Sequence, residues 1–575
     1  MIFVLGIGTT EKEIGSGIVP KVFFKNQNLY ADVAEGVTIL DAARSVGVVV
    51  ESPCNSIGTC GKCKVKIGLD SMSKIVYHDG LHKVSDEELR DGIVLACQSE
   101  VIGDITVEVE STAKQNSSLK ILNEGVTFQY EISPYITKKC AGASTEVYGD
   151  DALLGIEDGD TTGEIYGISI DIGTTTVVCS LIDMVTGAEI SSTSALNPQS
   201  LHAQDVLTRI KLASEPEGLA LMYGGIVKEF NRMIGVICKD TGISPARIYE
   251  VIYSGNTTMI HLAGNRNPKS LGKYPYTPVL RGGCYDSAAE HNLNISPFGL
   301  IYYPPIISSY VGPDITSGVL STTLKQRKGT VLFIDIGTNG EMVISRDGSL
   351  SATSTAAGPA FEGMNITFGM RAGVGAIEYF EILDDGEIEL RTIGGTKPVG
   401  ICGSGLFDIV GELVRVGIVT KTGRFLKPAK LDDGNKLKPR LKDYEGKPAF
   451  EIADGVFITI SDIRQVQLAK GAVRSGVEAL MTSQNVRVED VDSVLIAGSF
   501  GFHLRAKSLV NLALLPVEFG DKIDFVGNTS KTGGIAFLLN SGLRDAMSKL
   551  VSEILCIELS TVEGYNDLFV GCLNF

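Results

Sequence analysis

The sequence predicts a small α+β module followed by an internally duplicated α/β body. Three observations predict it. Four cysteines, Cys54, Cys60, Cys63 and Cys97, fall in the run CNSIGTCGKC and in LACQSEV. The turns Asp171–Ile172–Gly173–Thr174 and Asp335–Ile336–Gly337–Thr338 repeat one motif a domain's length apart. Both turns interrupt strand-like apolar alternation, IYGISIDIGTTTVVCSLID and VLFIDIGTNGEMVISR, so the repeat extends to the flanks and indicates duplication.

The N-terminal elements follow in order. KVFFKNQNLYADVAEG reads as a hairpin turning at Asn26–Gln27–Asn28. Thr38 reads as an N-cap with Asp41 three residues on, opening a helix with Ile39, Leu40, Ala43 and Val46 near helical spacing. Val65 and Ile67, then Ile105, Val107 and Val109, alternate as strands. Strand, strand, helix, cysteine loop, strand and final strand is the order of a small β-grasp ferredoxin. Its thiolates hold a [2Fe–2S] cluster in the plant-type pattern C-x4-C-x2-C with a distant fourth cysteine. Here the spacing is C-x5-C-x2-C, then Cys97, which resembles the adrenodoxin-like branch. Gly58 and Gly61 sit between the ligands, where a positive φ lets the loop turn its N–H groups toward sulfur. A zinc site would pair C-x2-C with a second such pair or with histidines, and no histidine lies close to Cys97 in sequence. The other seven cysteines read as buried small hydrophobes.

Residues 113–118 read as a hinge. ILNEGVTFQYEISPYITKK then alternates like a strand to near Pro134, and a Gly-, Asp- and Thr-rich stretch completes a small or partly ordered middle segment. The predicted division is 1–112 for the ferredoxin, 113–164 for linker and middle segment, and 165–330 and 331–575 for two subdomains of the body.

In each glycine turn of the body, backbone N–H groups and threonine hydroxyls suit a phosphate. The candidates are Gly173, Thr174, Thr175 and Thr176, then Gly337, Thr338 and Asn339. Asp171 and Asp335 are the candidate catalytic residues, each placed to hold Mg2+ through water. No G-x4-G-K-[ST] P-loop occurs. GICGSGLFD, with Gly403 and Ser404, reads as a loop entering a helix N-terminus, an anion site. VLIAGSFGF, with Gly498, Ser499 and Gly501, reads as a strand and glycine turn that admits the adenosine of ATP. DIRQVQLAKGAVRSGVEALM reads as a helix with Asp462 as its cap, and residues 427–449 as a solvated loop or insertion.

The 575 residues carry a net charge of −17, which argues against a nucleic-acid groove. No apolar run is long enough to span a bilayer, MIFVLGIG lacks a basic n-region, and the expected location is the cytoplasm.

DIGTTT, IDIGTNGE and IAGSFG resemble the phosphate-1, phosphate-2 and adenosine motifs of the actin/sugar-kinase/Hsp70 (ASKHA) superfamily, although Ser499 stands where glycine is commoner. With SGNTTMIHL, YVGPDITSGVL, AAGPAFEG, GICGSGL, DIRQVQLAKGA, LIAGSFG and VGNTS, nearly the full chain resembles the reductive activators of corrinoid-dependent enzymes. The resemblance implies ATP-driven reduction of a Co(II) corrinoid on a partner protein to Co(I), an external low-potential electron donor, an anaerobic source and a homodimer. Three other readings stand beside it. They are an electron donor like the activators of 2-hydroxyacyl-CoA dehydratases, which lack a ferredoxin module, a redox-sensing ATPase switch, and a ferredoxin-fused small-molecule kinase.

Overall fold

The structure, a computed structural model, describes residues 19–48, 50, 52, 56, 58, 61–78, 83–109, 125–498 and 504–575. The chain divides into two units, Met1–Lys114 and Gln115–Phe575.

In the first unit, β1 (Lys21–Phe24) and β2 (Leu29–Asp32) form the expected hairpin, with Asn28 at φ 53°. Thr38 caps α1 (Ile39–Ser45) by accepting from the Asp41 N–H at 3.1 Å, and the helix buries Ile39, Leu40, Ala42 and Ala43. In β3 (Lys64–Ile67) the lysines are exposed while Val65 and Ile67 are buried, as a half-buried strand requires. With β4 (Ile93–Leu95) and β5 (Ile105–Glu108) the sheet order is β2-β1-β5-β3-β4, β1 and β5 running parallel.

The second unit begins its described course at Gly125. Residues 125–135 form no strand, contrary to the alternation. They run beside the C-terminal part of the body instead, where the Val126 N–H donates to the Val526 carbonyl and the Ser133 N–H to the Leu539 carbonyl. The middle segment is an antiparallel sheet of β6 (Ile136–Ala141), β7 (Ser144–Gly149) and β8 (Ala152–Asp158). Lys138 of β6, its side chain wholly buried, reaches Glu157 at 2.9 Å and the Tyr249 hydroxyl at 2.6 Å. Arg247 closes the network on Glu157 at 2.9 Å.

Two six-stranded sheets follow. The first is built on β9 (Tyr166–Ile172), β10 (Thr176–Asp183), β11 (Glu189–Leu196) and β12 (Ile248–Gly255), completed by β13 (Cys284–Ser287) and β14 (Leu300–Tyr303), in the order β11-β10-β9-β12-β14-β13. The second is built on β15 (Thr330–Ile336), β16 (Gly340–Arg346), β17 (Ser349–Thr355) and β18 (Ser493–Ala497), completed by β19 (Ile523–Gly527) and β20 (Leu555–Cys556), in the order β19-β18-β15-β16-β17-β20. In each, an antiparallel β-meander lies beside a parallel strand, β12 against β9 and β18 against β15. The duplication seen in sequence is thus a duplication of topology.

Three local expectations are corrected. The long helix Ile460–Ser483 is capped by Thr459, and Asp462 is the third helical residue of that capping box, accepting from the Thr459 N–H at 2.8 Å. Residues 427–449 are not simply a loop. Lys447–Ala453 pairs with Leu441–Tyr444 on one side and with Val456–Thr459 on the other, a three-stranded sheet that buries Ala449 and Phe450. Of the scattered cysteines, Cys179, Cys238, Cys402 and Cys572 are buried, but Cys140 and Cys556 are exposed and Cys284 is partly so. Among the described residues no helix is long and apolar enough to cross a membrane.

Candidate functional site

In the first unit, Cys63 precedes β3 and Cys97 follows β4. The pairing of those strands, Lys64 opposite Leu95, brings their thiols to 3.2 Å, Cys63 donating to Cys97. The amide of Gln98 donates to the Cys97 sulfur at 3.6 Å. The Cys63 thiol above all lowers the Cys97 pKa, to about 6, toward the thiolate that binds metal. Gly58 and Gly61 take φ of +85° and +67°. Cys54 and Cys60 lie outside the described residues. Two sulfurs converging from adjacent strands, with an amide donor aimed at one, fit an iron–sulfur centre.

In the second unit one cavity is lined from both sheets. It gathers Asp171, Gly173, Thr174, Thr175 and Thr176 from the first hairpin and Asp335, Gly337, Thr338 and Asn339 from the second. Gly403 and Ser404, in the first turn of the helix Gly403–Arg415, and Gly498, after β18, also line it. Ser499 and Gly501 lie outside the described residues.

Register explains the geometry. Ile172 pairs with Val177 across the first turn, and Ile336 with Gly340 across the second, so the second turn is one residue tighter. Gly255 and Gly498 occupy equivalent places at the ends of the parallel strands. A Cβ on Gly255 would lie 2.6 Å from the Ile172 carbonyl oxygen, and one on Gly498 2.5 Å from that of Ile336. Only glycine lets either strand approach its turn so closely.

The first turn is held from beneath. Asn197 donates to the Gly173 carbonyl at 2.9 Å and Asn256 to the Thr174 hydroxyl at 3.1 Å. The guanidinium of Arg209, with no exposed surface, donates to the Thr174 and Ala203 carbonyls and to Gln199. Burial lowers its pKa to about 9.

One side of the cavity is acidic. Asp171 accepts from Asn528 and Ser530, both at 2.8 Å, and its burial raises its pKa. Asp335 is raised to about 7 by burial and then by the charge of Asp171. Two carboxylates that the sequence reading did not assign join them. Asp314, in the first turn of the helix Pro313–Ser321, is raised by burial and by Asp335. Glu341 stands directly opposite Asp335 across the hairpin, is buried, and is raised by burial and by Asp314. Its Oε1 has no hydrogen-bond partner. The first hairpin has Val178 at the equivalent place opposite Asp171. A fifth carboxylate, Glu362, accepts from the hydroxyls of both Thr175 and Thr338. Such a cleft suits a polyphosphate carrying a cation: glycine turns and hydroxyls for the phosphates, and acidic groups for the metal. Glu341 was legible from register alone, by extending the Ile336–Gly340 pairing one step. Asp314 and Glu362 reach the cleft, and Arg209 the back of its first turn, by tertiary placement, and none carries a local signal.

Residues 22–101 match the 2Fe-2S iron–sulfur cluster binding domain, 166–327 the RACo middle region, and 329–575 the C-terminal ASKHA domain of RACo. The chain is 31% identical over 571 residues to the corrinoid activation enzyme RamQ of Eubacterium limosum, covering 92% of this chain and 95% of that one. It is 23% identical over 454 residues to the [Co(II) methylated amine-specific corrinoid protein] reductase of Methanosarcina barkeri, covering 72% and 77%. A solved structure of a reductive activator for corrinoid, iron–sulfur protein superposes with a TM-score of 0.70 at 30% identity, covering 97% and 98%. The N-terminal unit is therefore a [2Fe–2S] domain and the body an ASKHA nucleotide-binding one. The chain belongs to the family of reductive corrinoid activators, in which a ferredoxin domain is fused to an ASKHA body.

Proposed function

We propose that this protein spends ATP to deliver single electrons to a Co(II) corrinoid held on a partner protein, producing the Co(I) state. The observation that carries the reading is the near full-length likeness to RamQ, which spans both the cysteine pair of the first unit and the acidic, threonine-lined cleft of the second. An external low-potential protein supplies the electron. A [2Fe–2S] cluster, held by Cys54, Cys60, Cys63 and Cys97, takes and gives one electron at a time near the roughly −400 mV of plant-type centres.

In the body, Thr174, Thr175, Thr176, Thr338 and Asn339, with Gly173 and Gly337, hold the phosphates. Gly403 and Ser404 add a helix N-terminus. Gly498, Ser499 and Gly501 bound the adenosine. Asp171 and Asp335 orient Mg2+ through water. The unpartnered Oε1 of Glu341, whose burial favours the neutral carboxyl, would be drawn to its charged form by a bound cation. The reading extends to a cytoplasmic homodimer and to four segments, 1–112, 113–164, 165–330 and 331–575.

The test uses reduced protein, a Co(II) corrinoid protein and Mg–ATP under anaerobic conditions. Formation of the Co(I) spectrum that stops without ATP is expected, as is stimulation of ATP turnover by the partner. Cys60→Ala should hydrolyse ATP and transfer no electrons. Turnover stimulated by a sugar or organic acid, with no response to corrinoid protein, would instead make it a kinase.

A further inference from the structure

Glu362 joins the two halves of the duplicated body through a single carboxylate. One of its oxygens accepts from the hydroxyl of Thr175, in the first glycine turn, and the other from that of Thr338, in the second. Its backbone is held in place on both sides. Gly358, four residues earlier, donates its N–H to the Thr338 carbonyl at 2.8 Å. Phe361 is wholly buried and packs on Phe407 of the helix Gly403–Arg415, ring centroids 4.5 Å apart. The carboxylate therefore belongs to a short turn, Pro359–Glu362, fixed against the second half while reaching across to the first.

A carboxylate that accepts two hydroxyl donors is the same kind of acceptor as a phosphate group. The two donors it takes come one from each turn of the cleft. A phosphate bridging those turns needs these hydroxyls too, and two anions cannot share them without a repulsion that a low-dielectric cleft enlarges. Glu362 and the outermost phosphate are then alternatives at one place.

We propose that Glu362 is a positioning residue that occupies the Thr175 and Thr338 hydroxyls in the nucleotide-free protein and yields them to the terminal phosphate of a bound nucleoside triphosphate. The inference rests on the nucleotide reading given above. It makes Glu362 a discriminator: a triphosphate must displace it, whereas a diphosphate that stops short leaves the bridge closed.

The experiment is calorimetric titration of the full-length protein with Mg–AMP-PNP and with Mg–ADP, for wild type, Glu362→Gln and Glu362→Ala, with thermal unfolding to confirm folding. Glutamine keeps the shape and removes the charge. Alanine removes the bridge and supplies the result if the glutamine variant does not fold. Both variants should bind Mg–AMP-PNP about tenfold more tightly than wild type, a change of about 1.4 kcal/mol. Mg–ADP affinity should rise by less than about threefold. A merely structural role for Glu362 would weaken both ligands together. Unchanged or weaker Mg–AMP-PNP binding in the variants, with wild type binding normally, overturns the role of Glu362 and leaves the nucleotide site standing. Failure of wild type to bind either nucleotide overturns the nucleotide reading and this inference with it.

Discussion

Arg209 and Thr174 are joined by a 2.6 Å hydrogen bond from the guanidinium to the main-chain carbonyl of the first glycine turn. A fully buried cation thus shapes a loop without facing the cavity, since its other donors go to Ala203, Gln199 and the Met259 sulfur. Arg209→Met fills a similar volume but leaves three oxygens without this donor. We expect a loss of about 2–4 kcal/mol in urea unfolding and weaker Mg–ATP binding by the variant that remains folded. Unaltered nucleotide affinity in a destabilised variant would confine Arg209 to folding.

His261 makes the body sensitive to acid. Its Nδ1 donates to the Thr257 carbonyl at 2.7 Å, and its Nε2 accepts from the N–H groups of Val279 and Leu280, both at 3.1 Å. That pattern requires a neutral ring, and burial, aided by the charge of Arg266, holds its pKa down at about 4. The unfolded chain takes up this proton below about 6.5 and the native protein only below about 4, so stability is lost as pH falls through that window. The loss amounts to about 3 kcal/mol. Urea midpoints of wild type and His261→Gln at pH 7 and pH 4.5 should diverge, the variant showing the shallower dependence.

Gln98 tunes the cluster domain. Its amide donates to the Cys97 sulfur at 3.6 Å while also holding the carbonyls of Cys97 and Ser56. Donors to sulfur stabilise the reduced, more negative state. Gln98→Leu should lower the midpoint potential by about 20–60 mV with iron content unchanged, the equivalent of one hydrogen bond in a one-electron couple. Anaerobic redox titration reads the shift.

Glu250 and Arg544 form a bidentate ion pair at 2.6 and 2.9 Å with almost no exposed surface, and Arg544 stacks over the Tyr302 ring at 4.4 Å. Glu250→Gln should cost about 3–5 kcal/mol by leaving a buried cation uncompensated. The double variant Glu250→Gln, Arg544→Met should cost less than the sum of the singles, a coupling that a denaturation cycle measures.

The elements that were legible in sequence are those whose signal is local. The two hairpins alternate apolar residues with period two up to a glycine turn, and Thr38 has the side chain that caps a helix. The assignment of Asp462 as a cap failed by three residues because Thr459 and Asp462 share one capping box, and either residue type suits the N-cap. The strand expected before Pro134 failed because alternation describes side chains, whereas that segment finds its backbone partners one residue at a time along 526–540. Of the cleft, the residues within the repeated turns could be read from the repeat itself. Arg209, Asp314 and Glu362 could not, since each arrives from a separate segment of chain and nothing near it in sequence marks the destination.

The attachment of Gly125 to β19 has a mechanical reading. Gly125 bridges to Gly527, and the Val126 N–H holds the Val526 carbonyl at 2.9 Å. The residue after Gly527 is Asn528, whose amide grips Asp171 in the cleft. Tension on the chain at Gly125 is therefore borne one residue before Asn528, the side chain that holds a carboxylate of the nucleotide cavity.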